Sequence, residues 1–385
     1  MTTLSVLMGG IGSSTSPFVN TSAGLASAIV SGYDTTVIVS GGSSASSIEG
    51  YGAAATGGTG YSVVNVTTLA NSGAGSLREA LASGNRIVRF TVGGTITLLS
   101  SILTIGGNNI TIDGSTAPGN GITIKGRAIW VNGISNIIFQ QLHFRDQEDG
   151  TASPYVDDAI TIINGATSIV VDHCSFSNQE DGCVDISINC ADISIQWNMF
   201  GPTRRGQAQG YLVNDQFRNS NRVTWHHNLW IDDTVFDAGW FSRTPGLGDT
   251  ANPDTLGSTL TADIRCNVVW APINGYVGAI VQSNTKANVV KHYFYGRSGQ
   301  TGINYVVQTQ LGGQAYSSGN YNKRGGVTTT TTAMSEIVPP VGKRVTEEAT
   351  VALAAAAVLA GVGCRVGGLD ATDAAAIAAI EAVGL

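Results

Sequence analysis

The side chains able to do chemistry are few and concentrated in the middle of the chain. Asp157 and Asp158 stand before one apolar run, Glu180, Asp181 and Asp185 before the next, and Arg204 and Arg205 after it. Arg243 follows in an Arg243-Thr244-Pro245 sequence. If these runs are strands stacked in parallel coils, equivalent positions lie about 4.8 Å apart per coil. Asp158 and Asp185 would then be neighbours despite their separation in sequence. Carboxylates crowded in this way need a cation or a shared proton. An all-oxygen ligand set favours Ca²⁺ over zinc, and arginines alongside suit recognition of carboxylates. The plainer reading is that the same aspartates cap turns at loop ends. His173, His226 and His227 alternate with apolar residues on the runs, which points to a hydrogen-bonded structural role. There is no G-x-S-x-G elbow and no P-loop, so serine-hydrolase and nucleotide-hydrolysing chemistry have no support.

The elements that must position these residues are short and repetitive. From Arg86 onward, runs of Val, Ile and Thr are separated by Gly, Asn and Asp: IVRFTV (87–92), ITIDG (110–114), IIFQQLHF (137–144), IVVDHCSF (169–176), ISIQWNMF (193–200), VTWHHNLW (223–230), DIRCNVVW (263–270) and VVKHYFY (289–295). Aligned on one turn position, they give Cys174, Asn198, Asn228 and Asn267, with steps of 24, 30 and 39 residues. A constant core with growing insertions is the mark of a solenoid. No helix of crossover length intervenes, which argues against a doubly wound sheet, and hairpin signals are too scarce for a β-sandwich. In such a coil the asparagines would stack at one corner, each amide bonding the next turn. Phe144, Phe176, Phe200 and Trp230 would stack inside, and glycines would make the sharp corners.

Residues 1–60, rich in Gly, Ser, Ala and Thr, read as a lead segment and a possible attachment region. A strand is expected from Tyr61, then a short helix at the capping box Ser76–Glu79. The solenoid domain is expected over 61–335, and a tail packing on it over 336–385. Residues 317–340 read as extended chain lying over the body, and in the tail Thr346–Ala360 is expected as a helix with Glu347 and Glu348 in its first turn. A second helix is expected over Asp370–Val383, capped by Asp370 and stopped by Gly384.

Composition sets the outer bounds. The 385 residues include 50 glycines but only 9 prolines; 12% are charged and 42% hydrophobic, which excludes disorder. The glycines lack a G-X-Y period, so collagen is excluded. A net charge of −7 makes nucleic acid an improbable partner. The five cysteines form neither a disulfide framework nor a C-x-x-C zinc pair, and read as buried small hydrophobes. The longest apolar stretch, Ala349–Cys364, is too short to cross a bilayer, so no membrane partner is expected. The first residues lack the basic segment and apolar run of a secretory leader.

With these motifs set out in order, the chain resembles the pectate lyase family, polysaccharide lyase family 1. The resemblance rests on GSLREAL (75–81), RIVRFTVGGTITL (86–98), VVDHCSFS (170–177), DGCVDI (181–186), WNMF (197–200), HHNLW (226–230) and RTP (243–245), with AGVGCRVGGLDATDAAAI (360–377) in the tail. It implies an all-β fold, a right-handed parallel β-helix with a short N-terminal capping helix and a C-terminal helical tail. It implies Ca²⁺ held by Asp158, Asp181 and Asp185, with Asp157 as a further candidate. Arg205, with Arg204 beside it, falls where the family binds substrate through a lysine, and Arg243 matches the arginine proposed to remove the C5 proton of a uronate. The Asp172-His173 pair is taken as structural. Val156 stands where the family usually has another aspartate, and Gly248 where it has a second arginine.

The function these residues imply is Ca²⁺-dependent β-elimination on a uronate polymer such as polygalacturonate. One alternative is a glycoside hydrolase using Asp157, Asp158, Asp181 and Asp185 as acid and base. Another is a virion or tail appendage that binds or trims glycans. The expected partner is an acidic polysaccharide. The chain would act outside the cell, as a monomer, or on a virion surface, as a trimer.

Overall fold

A computed structural model describes residues 47–99, 101–145, 157–179, 182–201, 210–212, 220–231, 245–247, 261–270, 277–282, 284–295, 305–325, 329–330 and 332–384. The chain divides into two compact units, Met1–Ser47 and Ile48–Leu385. The strands of the second unit form three parallel sheets, of 10, 9 and 9 strands among the described residues. One coil shows the plan: Ser135–Gln140 in the first sheet, His143–Arg145 in the second and Ile160–Ile163 in the third, before Thr167–Asp172 re-enters the first. This is the expected parallel β-helix, wound in the right-handed sense of parallel crossovers.

Alternation along each strand fills the interior. Ile112, Phe139, Val171, Ile195, Trp225, Ile264 and Val289 stand in register on consecutive strands of the first sheet, and all are fully buried. On the second sheet, Phe144, Phe176, Phe200 and Trp230 stack with ring centroids 4.9, 5.0 and 5.4 Å apart. Each such pair adds about 0.5–1.5 kcal/mol beyond area burial.

The corner between the first two sheets takes only two residues. Its first residue is left-handed in successive coils: Gln141, His173, Trp197, His227, Cys266 and Lys291 have φ of 48–55°. For residues other than glycine this costs about 1–2 kcal/mol each. The second residue offsets the cost. Asn198 Oδ1 accepts from Cys174 N, Asn228 Oδ1 from Asn198 N and Asn267 Oδ1 from Asn228 N, at 2.8–2.9 Å. Each Nδ2 donates to a backbone carbonyl such as Val171 O or Ile195 O. The runs read as single strands, such as IVVDHCSF, are therefore two strands meeting at this corner.

The short helix α1 (Leu77–Ala80) starts where expected: Glu79 N donates to Ser76 Oγ, while the Glu79 carboxylate accepts from Gly75 N instead of from Ser76 N. None of the five cysteines is in a disulfide, and all are buried. Residues 48–60, read as part of the lead segment, lie along the outer face of the first sheet. Tyr51 N donates to Thr224 Oγ1, Gly52 N to Ser194 Oγ and Gly58 N to Thr111 Oγ1. Gly52 permits this approach, since a Cβ there would stand 2.7 Å from Ser194 N.

The C-terminal helices α2 (Val351–Gly361) and α3 (Ala371–Glu381) cover the second sheet. Ala355, Val358, Leu359, Ile377 and Ile380 pack on its outward Met199, Leu229, Ile231, Val268 and Trp270. Asp370 caps α3 as read from the sequence. The first helix starts later than expected, with Thr350 as its cap. Glu347 and Glu348 lie before it, drawn away by tertiary partners: Glu347 pairs with Arg265 and Lys291, and Glu348 with His227.

Candidate functional site

The third sheet carries the acidic residues. Its outward row runs Trp130, Thr161, Asp185 in register over three consecutive strands. Trp130, Thr161 and Asp185 are half-buried, whereas the outward residues Val170, Ser194, Thr224 and Asp263 of the first sheet are fully buried. Among the described residues, the first sheet lies beneath 48–60 and the chain around 336–348, and the second beneath α2 and α3. The third sheet retains partly open side chains.

Asp158 enters this face from the segment before Ile160. Its Oδ1 accepts from Gly182 N at 2.8 Å and its Oδ2 from Thr161 Oγ1 at 3.1 Å. Asp185 lies opposite Thr161 on the next strand. A Cβ on Gly182 would meet Asp158 Oδ1 at 2.7 Å and Asp185 Oδ1 at 2.9 Å, so the two carboxylates converge on a space that only glycine leaves open. The Asp158–Asp185 neighbourhood read from the spacing is present. The donors that meet here are all oxygens, a set suited to a hard cation such as Ca²⁺. Asp157 turns away from this pair and forms an ion pair with Arg127.

Asp181, Arg204, Arg205 and Arg243 lie outside the described residues. The strands that follow them, Val184–Ile186, Gly210–Leu212 and Gly246–Leu247, are adjacent members of the third sheet. Two residues were missed in the sequence. Arg127, the partner of Asp157, gave no signal, because the contact joins separate coils. Trp130 did give one: an outward aromatic in Ile129-Trp130-Val131, flanked by two buried apolar residues.

The histidines are structural, as expected. His173 Nδ1 meets Asp172 Oδ1 at 2.8 Å, and the rings of His173, Trp197 and His227 stack along the corner. Burial holds His226 well below the ordinary histidine range, aided by the neighbouring His227 and His173; His226 is therefore neutral.

No family model matches the chain. In sequence it is similar to the probable pectate lyase C of Aspergillus terreus, 32% identical over 248 residues, which are 64% of this chain and 52% of that protein. The chain thus spans about half the length of the curated relatives it matches. In structure it is similar to the major cedar pollen allergen jun a 1, with a TM-score of 0.65 at 17% identity, covering 82% of this chain and 92% of that one. It is also similar to the pectate lyase Bsp165PelA of Bacillus sp. N165, solved with trigalacturonate, with a TM-score of 0.60 at 18% identity, covering 82% and 98%. The resemblance to pectate lyases read from the motifs holds, and the fold is theirs.

Proposed function

We propose that the chain is a polysaccharide lyase that cleaves a polyuronate of the pectate kind by β-elimination on the outer face of the third sheet. The observation that carries this reading is the convergence of Asp158 and Asp185 on the Gly182 backbone, on the face that the tail and the 48–60 segment leave partly open. The likeness to pectate lyases supports it.

Asp158 and Asp185, with Asp181 between them in sequence, would hold Ca²⁺. When bound, Ca²⁺ supplies charge withdrawal from the uronate carboxylate, which acidifies the neighbouring C5 proton. Gly182 N–H and Thr161 Oγ1 fix the Asp158 carboxylate and keep its lone pairs aimed. Arg204 and Arg205 bind further carboxylates along the polymer. Arg243 acts at the C5 proton. As that proton leaves, the C4–O bond breaks, a C4=C5 double bond forms and the departing oxygen takes up a proton. An arginine base requires its pKa, above about 12 in water, to be lowered by desolvation and a neighbouring cation. A polymer substrate of this size sets the place of action outside a cell, by secretion or on a virion surface.

The test is ultraviolet-monitored cleavage of a panel of uronate polymers, with and without a chelator, for wild type and Arg243→Ala. The expected result is an unsaturated, absorbing product that both the chelator and the substitution abolish. New reducing ends without absorbance, or no product from any uronate polymer, would overturn the reading.

A further inference from the structure

A second group of ligand-type side chains lies far from the acidic face, where the tail crosses the corner between the first and second sheets. His227, Cys266 and Glu348 each offer one atom, and these lie within 4.8 Å of one another. His227 and Cys266 are buried, and the Glu348 side chain is 24% exposed.

Hydrogen bonds leading to this point orient the His227 ring. Gln196 Nε2 donates to the Asp172 carboxylate at 2.9 Å, and Gln196 Oε1 accepts from Glu49 N at 3.0 Å. A carboxylate only accepts and a backbone N–H only donates, so the amide orientation is determined. Gln196 Oε1 also faces His226 Nε2 at 3.1 Å, so that nitrogen carries hydrogen. His226 Nδ1 is then an acceptor, and His227 Nδ1–H donates to it at 2.9 Å. With Nδ1 so engaged, His227 Nε2 faces Glu348 Oε1 at 3.1 Å and Oε2 at 3.0 Å. A ring nitrogen set against a carboxylate at this distance needs a proton or a metal cation between them. Among the described residues, no lysine or arginine pairs with the Glu348 carboxylate. Lys291 Nζ lies 3.1 Å from Glu347 Oε2 and donates to the backbone oxygen of Glu348.

The other such group, His143 with Asp370 and Asp373, shows how the molecule resolves the same problem elsewhere. There Arg145 Nη2 stands 2.9 Å from Asp370 and 2.7 Å from Asp373, and supplies the charge. At His227 no guanidinium joins the group, and a thiol takes the place of the second carboxylate. Imidazole nitrogen, sulfur and carboxylate oxygen make a borderline-soft set that suits Zn²⁺. The His226–His227 bond is the outer contact that orients a metal-bound imidazole.

We propose that His227 Nε2, Cys266 Sγ and Glu348 bind one Zn²⁺, with water in the fourth position on the partly exposed Glu348 side, and that this ion fastens the tail to the β-helix. On binding, the Cys266 S–H bond is replaced by S–Zn and the proton passes to solvent. The inference is independent of the lyase reading. The competing occupant is a proton on His227, which needs no thiolate.

The test is titration of chelator-treated full-length protein with Co²⁺, in excess Ca²⁺ to saturate the acidic face, followed by Zn²⁺ competition. The proposal expects one Co²⁺ per chain with a thiolate-to-metal charge-transfer band, displacement by Zn²⁺, and a higher Tm with Zn²⁺. Cys266→Ser and Glu348→Gln, checked for native circular dichroism, should lose the band and the Tm gain. Wild type that binds neither ion would overturn it and leave the proton as occupant. A band that survives in Cys266→Ser would also overturn it, because the thiolate would then lie elsewhere.

Discussion

The outer faces of the first and third sheets are built from the same alternating strands and differ in what lies over them. Over the first sheet, Ser194 and Thr224 spend their hydroxyls on the backbone of residues 51–52, and Asn288 binds the backbone of Ile337. Over the third, Thr161 and Gly182 spend their donors on Asp158, a carboxylate on the same face. Polar groups on the covered face hold the chain to itself, and those on the acidic face hold a charge in place. Substitutions on the two faces should therefore separate into losses of stability and losses of activity.

The largest effect on activity is expected on the acidic face. Asp185→Asn should lower polyuronate cleavage about 100-fold or more, since a catalytic cation contributes several kcal/mol of charge stabilisation, with Tm little changed. An equal loss in Tm would break the contrast. On the covered side, Arg145→Ala leaves Asp370 and the fully buried Asp373 without their cation. Unfolding in denaturant should show a loss of about 3–5 kcal/mol, with cleavage per folded molecule unchanged. Gly182→Ala places a methyl between the two carboxylates. Calcium titration should show affinity about 10–100-fold weaker, in the range of changes that disturb how ligands are held. Asn228→Ala, at the corner, removes the acceptor for Asn198 N and should cost about 1–3 kcal/mol without altering calcium affinity.

The smallest expected effect is one of pH. Burial would raise Asp370, but the charge of Arg145, the hydrogen bond from Asp373 N and that from Arg145 outweigh it and hold the carboxyl below its ordinary range. A depressed carboxyl stabilises the fold above its unfolded value, and that contribution fades as pH falls through the lowered folded value. Burial pushes the adjacent Asp373 the other way. The difference in Tm between wild type and Asp370→Asn isolates the first term. It should be greatest above the ordinary carboxylate range and shrink with acidification; a difference that grew would contradict the assignment.

Much of the fold and part of the acidic face are legible in the amino-acid sequence. The spacing of Cys174, Asn198, Asn228 and Asn267 locates a real corner, and the aromatics two residues on do stack. Asp158 and Asp185 do come together, although the register pairs Asp185 with Thr161 and Asp158 reaches in from the segment before the strand. The two-sheet nature of each run is hidden because its left-handed residues are His, Trp, Cys and Lys instead of glycine. The 48–60 segment reads as a loop because small residues carry no periodicity; they are small to admit a neighbouring backbone. Glu347 and Glu348 suit a helix N-terminus, and only Arg265, Lys291 and His227, distant in sequence, reveal their use. The His227–Cys266–Glu348 group has no compact motif, because its members come from two coils and the tail.

The path of the tail has one more consequence. It descends the stack in reverse order: Met334 N bonds Ala315 O, Ile337 N bonds Asn288, Glu348 meets His227, Gly363 N bonds Trp197 O and Arg365 N bonds Gln141. A solenoid by itself could gain or lose a turn with little penalty. Here the closing segment works as a ruler laid along the stack. Adding or deleting one coil would shift every graduation off its mark, so the molecule carries its own measure of how many coils it must have.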